Sequence, residues 1–402
     1  DGRSWLPEPV GATLAAAVVV LGGWLLMRRG SGERSLWLLG TAGPAFLAAS
    51  HLGFLLAGTP HYLFGLGGDQ LNRVAYVTRF ADSPAIADPF YADAAPFYPP
   101  QWFWVGGRLA ALTGIDGWEF YKPYAILTMA VAGAIACVTW RWLVSTRLAV
   151  LLGLVTVVVG GQTNAYEPYS WILICLLPQV VVGMFLLCAR AAARVRPGPT
   201  GGPTWPLVVT IGAYLGWAAL TYTLIAGFAA LLVALVVVVH LWRFRAERAV
   251  VTALVARLVA TAALSVVIAL AFWHRYLLAV LGGAPTEPSV ATDFAPSVGS
   301  RWPLPMFSAL GILCLIGLVW LVITVWPAGP GGTATGWPLP SPDRALDVAR
   351  ALTLMVVAVF GWFVLSGLRA ATGSTLLPFR MIPVITLALA VAGVIGALAL
   401  AR

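Results

Sequence analysis

The 402-residue chain is almost without lysine; Lys122 is the only one. It is poor in charge of any kind, with 10% Asp, Glu, Lys and Arg, against about 25% in soluble globular chains. So few charges cannot cover a soluble protein of this length. Cysteine is scarce as well. Cys137, Cys175, Cys188 and Cys314 all lie inside apolar blocks, which excludes a disulfide framework and marks them as small buried hydrophobes. No His or Cys cluster has metal-ligand spacing, so no metal is expected. No Walker-type glycine loop or dinucleotide fingerprint occurs, so no cofactor is expected and a soluble nucleotide donor is disfavoured. The net charge is +9, but the arginines fall between hydrophobic blocks rather than along one stripe, which argues against nucleic acid.

What is present is apolar sequence, 60% of all residues, in long blocks separated by short Arg- or Pro-rich breaks. A membrane crossing needs roughly 20 such residues. The blocks predict spans at Val10–Met27, Leu36–Leu56, Tyr124–Trp140, Leu148–Gly160, Ile172–Cys188 and Leu207–Tyr222. Further spans follow at Leu224–Leu241, Leu258–Phe272, Phe307–Trp326, Leu352–Ser366 and Met381–Ala401. The expected fold is an all-α polytopic integral membrane protein of about eleven transmembrane helices. Arginines cluster in alternate connections: Arg28, Arg29 and Arg34; Arg141 and Arg147; Arg190, Arg194 and Arg196; Arg243, Arg245 and Arg248; Arg344 and Arg350. The positive-inside rule makes these cytoplasmic and puts residue 1 outside. The outer connections are then 57–123, the longest, with 161–171, 273–306 and 367–380. They hold most of the acidic residues and clusters of Tyr, Trp and Pro.

The first outer connection opens with HYLFGLGGDQLNRVAYVTRF. Gly67–Gly68 breaks the chain, a helix-compatible stretch follows, and Asp69 can cap or open it. Helical spacing puts Asp69, Arg73 and Tyr76 on one face, with Arg79 nearby. A carboxylate facing a cleft there can act as general base on a sugar hydroxyl, and an arginine can hold a phosphate. The same spacing equally describes an i,i+4 ion pair on an interfacial helix. The next stretch, DPFYADAAPFYPPQWFWVGGR, surrounds prolines with aromatics, and Pro99–Pro100 forbids helix at that point. Its rings suit sugar faces or lipid headgroups, or form an aromatic belt. Asp82, Asp88 and Asp93 are expected to be solvated turn residues, with assistance to a sugar hydroxyl as the alternative. Lys122 is placed at a helix mouth, to meet a phosphate or to snorkel. Glu167 in the next outer turn can bond a sugar or cap the following helix. His274, Arg275, Arg369 and Arg380 lie in other outer connections, where converging cations suit a lipid phosphate and separate ones anchor helices.

Many spans with a long first outer loop carrying an early aspartate resemble the GT-C glycosyltransferases, which use polyprenyl-phosphate sugars outside the cytoplasm. YLFGLGGDQLNR, PFYPPQWFWVGGRLAALTG, WEFYKPYAI, EPYS and STLLPFR resemble, in order along nearly the whole chain, the mycobacterial galactan arabinofuranosyltransferase family. That resemblance implies a decaprenylphosphoryl-arabinofuranose donor at the membrane, a galactan acceptor, and a bacterial plasma-membrane enzyme working on the outer face. It implies Asp69 as the catalytic base in a single inverting displacement. Arg73, Lys122, His274, Arg275, Arg369 and Arg380 are then the candidates to neutralise the leaving phosphate. Gln70, Tyr76, Tyr98, Trp102, Tyr166 and Glu167 are the candidates to shape the sugar pocket. The family also has a further N-terminal helix and a C-terminal extracytoplasmic domain, neither of which is expected within these 402 residues. Competing expectations are another polyprenyl-phosphate transferase, such as a mannosyltransferase, a lipid or sugar transporter, and a non-catalytic scaffold. Few mid-span charges and no evident internal repeat speak against transport.

Overall fold

The computed structural model describes residues 7–28, 32–88, 90–91, 94–195, 202–286, 293–294, 307–325 and 342–401. Arg29, Asp93, Arg196, Trp326 and the stretches 287–292 and 295–306 of an expected outer connection lie outside the described residues. Among the described residues every regular element is a helix. The chain divides into two compact units, residues 1–176 with 284–286, and 177–283 with 287–402.

The first unit contains α1 (Pro7–Arg28), α2 (Glu33–Leu55), α3 (Asp69–Asp82), α4 (Gln101–Thr113), α5 (Gly117–Trp140), α6 (Thr146–Thr163) and α7 (Pro168–Ile174). α2 packs against α1, α5 and α6, and α5 against α6. The two shorter helices α3 and α4 pack on each other and on α5, and α7 also lies against α5. The buried side chains where these elements meet are large: Tyr76, Phe80, Phe103, Tyr121, Trp140 and Trp171.

The second unit contains α8 (Leu177–Val195), α9 (Trp205–Thr221), α10 (Thr223–Arg243), α11 (Arg248–Leu281), α12 (Ala309–Val325), α13 (Pro342–Ala370) and α14 (Ile382–Leu400). A short 3-10 turn, Pro378–Met381, leads into α14. α9 packs along α11, and α8 touches α9, α10, α11 and α13. α12 lies along α14 at very close range. A Cβ on Gly393 would collide with the Leu313 carbonyl, and one on Gly317 with the Leu389 carbonyl. Small residues let two membrane helices approach in this way and gain dispersion contacts where no hydrophobic drive exists between them.

Ten of the eleven expected spans fall each on one helix, and Ile172–Cys188 runs across the end of α7 and the start of α8. Among the described residues eight helical segments are long and apolar enough to cross a membrane, while Thr13–Gly22 of α1, α9 and α12 are shorter apolar helices. The molecule is an all-α membrane protein. Helix ends differ from the apolar blocks wherever polar residues begin. α5 starts at Gly117, so Lys122 and Pro123 lie inside it rather than before it. α11 runs on through His274 and Arg275 to Leu281, and α13 through Arg369 to Ala370. With a rise of about 1.5 Å per residue, the 34 residues of α11 exceed the roughly 30 Å apolar thickness of a bilayer. The end of such a helix can therefore be polar, and an apolar count does not see it. α4 also forms directly after Pro100, where the sequence reads mainly as an aromatic belt.

Candidate active site

The turn before α3 sets the position of Asp69. Gly65 N–H donates to Tyr62 O at 3.0 Å and Gly67 N–H to Phe64 O at 3.2 Å. Gly68 precedes the helix at φ 56° and ψ −134°, a backbone conformation open to glycine. Phe64 also has a positive φ, 64°, and its ring is 78% exposed. The helix then starts at Asp69 itself. Of the two places the sequence offered, capping or opening the helix, Asp69 takes the second, with Gly68 at the capping position.

The Asp69 carboxylate instead meets Arg73 one turn on. Arg73 Nη2 donates to Asp69 Oδ2 at 3.2 Å and to Glu167 Oε1 at 2.6 Å. Its Nη1 donates to Tyr166 O at 3.1 Å, with Gln70 Oε1 at 3.5 Å. The guanidinium lies 4.4 Å from the Tyr166 ring centroid and 5.3 Å from that of Tyr169. Exposure separates the two carboxylates. The Asp69 side chain is 59% exposed, whereas Arg73 and Glu167 are each at 3%. Burial works against the charge of Arg73, but the oxygens of Tyr169, Glu167, Tyr121 and Tyr98 outweigh it and raise its pKa. The guanidinium is therefore a fixed cation.

The remaining partners build the wall behind it. Gln70 Nε2 donates to Leu63 O at 3.1 Å, and Tyr121 OH donates to Gln70 Oε1 at 2.9 Å. Tyr169 OH donates to Glu167 Oε1 at 3.1 Å. Asn164 Nδ2 and Ser170 Oγ donate to Glu167 O at 3.1 and 3.0 Å. Tyr62 OH fixes the same turn through Ala165 O at 2.7 Å. Tyr76 OH donates to Tyr98 O at 3.2 Å, and burial raises the pKa of both phenols, Tyr98 against the lowering effect of Arg73. Trp102 Nε1 donates to Thr128 Oγ1 at 3.0 Å, with its ring 6.0 Å from Tyr169.

The structure thus brings Asp69, Gln70, Arg73, Tyr166 and Glu167 into one network, with Tyr76, Tyr98 and Trp102 packed in the same unit. The expectation that Asp69, Arg73 and Tyr76 face one cleft is corrected. Arg73 and Tyr76 point into the unit and only Asp69 reaches solvent, because Asp69 stands at the first turn, where the helix face meets its edge. Asp88 is likewise buried rather than solvated, its Oδ1 accepting from Phe90 N and Tyr91 N at 2.9 and 2.8 Å. Lys122 also lies in the first unit but apart from the network. Its ammonium donates to Leu56 O at 2.7 Å and Thr59 O at 2.6 Å, at the end of α2. His274, Arg275, Arg369 and Arg380 belong to the second unit. Sequence reasoning assigned no role to Tyr62, Tyr121, Asn164, Tyr169 and Ser170. Tyr121 and Tyr169 sit inside the WEFYKPYAI and EPYS blocks, and their places beside Lys122 and Glu167 were the available signal.

Fold and site together define an all-α membrane protein that presents one carboxylate at the start of a short helix, held from behind by a buried arginine. A family model described as "Arabinofuranosyltransferase N terminal" matches residues 8–330 and 339–402, and the chain belongs to that family. It is 37% identical over 380 residues to a galactan 5-O-arabinofuranosyltransferase of Mycolicibacterium smegmatis, covering 92% of this chain and 55% of that protein. It is 35% identical over 378 residues to the protein of the same name in Mycobacterium tuberculosis, with 93% and 54% covered. The Corynebacterium glutamicum protein of that name is 33% identical over 410 residues, with 96% and 56% covered. The chain spans about half the length of the curated relatives it matches.

Proposed function

We propose that this chain carries the transfer centre of a galactan 5-O-arabinofuranosyltransferase, with Asp69 as the general base. The observation that carries this reading is the Asp69 carboxylate, exposed at the tip of α3 and tied to a buried cation, in a chain of this family. The donor is decaprenylphosphoryl-arabinofuranose and the acceptor a galactan hydroxyl, on the outer face of the bacterial plasma membrane, in a bundle of about eleven crossings. Asp69 takes the hydroxyl proton as the acceptor oxygen bonds to the anomeric carbon. The anomeric carbon–oxygen bond breaks on the opposite face, and its electron pair leaves with the phosphate, inverting a β donor to an α product.

The leaving phosphate gains negative charge, so cations held near it lower the barrier. His274, Arg275, Arg369 and Arg380 are the candidates in the second unit, and Arg73 and Lys122 those in the first. Tyr166, half-buried beside exposed Phe64, is the sugar-facing candidate. Gln70, Tyr76, Trp102 and Glu167 are buried and shape the pocket wall, with Tyr98 among them.

The test is transfer by the full-length protein from decaprenylphosphoryl-arabinose to a short galactan oligomer, read as one added pentose by mass spectrometry. Asp69→Asn should lower kcat at least about 100-fold while the protein stays folded. Transfer that survives in Asp69→Asn removes Asp69 as base. A wild type that ignores the arabinose donor but uses another polyprenyl-phosphate sugar establishes a different transferase of the same class.

A further inference from the structure

Two carboxylates share one guanidinium here, and only one of them reaches solvent. Glu167 is buried, so an acceptor hydroxyl has no path to it. It precedes α7 yet makes no side-chain capping bond. Its Oε1 is taken by Arg73 Nη2 and by Tyr169 OH, and its backbone carbonyl is held by Asn164 and Ser170. Four neighbouring groups thus keep Glu167 in place, and Glu167 gives Arg73 the shorter of its two ion pairs, 2.6 Å against 3.2 Å. An i,i+4 pair with an exposed carboxylate is weak by itself and does not hold a long side chain in one geometry.

We infer that Glu167 is a positioning residue that fixes Asp69 through Arg73; this rests on Asp69 being the base of the proposed reaction. The arrangement does two things. It holds the Asp69 carboxylate at one place on the first turn of α3. It also balances the cation when Asp69 accepts a proton. The Arg73–Glu167 pair left behind is neutral, so the buried guanidinium is never uncompensated during turnover. The groups facing this pair are Asp69 and Gln70 on α3, Tyr98, Tyr121 on α5, and Tyr166 and Tyr169.

Steady-state transfer by the full-length protein tests this. Glu167→Gln should lower kcat about 10–100-fold through lost placement of the base, with KM for donor and acceptor within about twofold. In an Asp69→Asn background the same change should cost nothing further, since residues acting as one unit are not additive. A folded Glu167→Gln with full kcat overturns the inference, and so does an equal further loss in the Asp69→Asn background. Should Glu167→Gln not fold, Glu167→Asp keeps the charge but withdraws it by one methylene, and the same split is expected. A substrate-free structure of either variant, by electron cryomicroscopy, reads the positioning directly. The Arg73 guanidinium, and the Asp69 carboxylate with it, should shift from the place held in wild type, and unchanged positions of both overturn the inference. That arm does not depend on which sugar is transferred. Failure of pentose transfer by wild type therefore counts against the arabinofuranosyl reading alone.

Discussion

The two units satisfy their buried polar groups in different ways. In the first, Arg73 reaches Glu167 across 94 positions of sequence, Tyr62 reaches the Ala165 carbonyl across 103, and Tyr121 reaches Gln70 across 51. In the second, most buried polar side chains with a described bond turn back on their own helix. Thr221 donates to Trp217 O, Thr261 to Arg257 O and Thr386 to Ile382 O, at 2.8–2.9 Å, and His240 Nδ1 lies 2.8 Å from Val236 O. The ion pairs Arg73–Asp69, Arg73–Glu167 and Arg141–Glu33 are in the first unit. Bonds within one helix turn say nothing about which helix lies next to which. In the second unit α9 and α11 are joined by Arg257 Nε to Thr204 Oγ1, Ser265 Oγ to Gly212 O and Trp273 Nε1 to Ala219 O, whereas α12 and α14 meet by close packing. Long-range polar bonds specify neighbours in the first. A unit that is to hold a charged group at a fixed place needs the first solution.

Substitutions can break this contrast. The largest effect is expected from Arg73→Leu, which leaves Glu167 buried without its cation. Removing one partner of a buried pair costs about 3–5 kcal/mol, measurable by denaturant titration in detergent, and transfer should be lost as well. A smaller cost, about 1–3 kcal/mol, is expected for Gly393→Val, where the new side chain must push α12 away at Leu313. If Gly393→Val costs nothing, packing of small residues does not specify how α12 and α14 meet. The smallest effect is that of Tyr62→Phe, about 1 kcal/mol for the lost bond to Ala165. Burial raises the Tyr62 pKa above the ordinary phenol value. The folded form then keeps its proton longer than the unfolded form. Stability from this group is full below about pH 10 and lost as pH rises beyond it. Stability measured between neutral and alkaline pH should therefore fall less steeply in Tyr62→Phe than in wild type.

The same contrast explains what could be read from the sequence. Apolar blocks located the long apolar helices but joined α7 to α8, because a run of about 20 apolar residues leaves a continuous trace and a short break inside it leaves none. They missed the polar ends, such as Gly117–Pro123 of α5 and His274–Leu281 of α11. The Asp69–Arg73 pair was legible because four residues make one helical turn. Which way that pair points was not. Tyr76 and Arg73 share a face as expected, but that face is the inner one. The Arg73–Glu167 bond left no local trace at all, since nothing in EPYS states that its glutamate answers an arginine on another helix. Long-range pairing is the part of a site that one sequence does not spell out.

Lys122 gives its ammonium to two carbonyls at the end of α2. Every other strongly basic side chain of the chain is then an arginine. Guanidinium groups keep their proton across any pH a cell envelope meets. Apart from four histidines, the positive field of this molecule is therefore constant. A change of pH therefore acts on the protein's carboxylates and histidines and leaves its guanidinium groups charged.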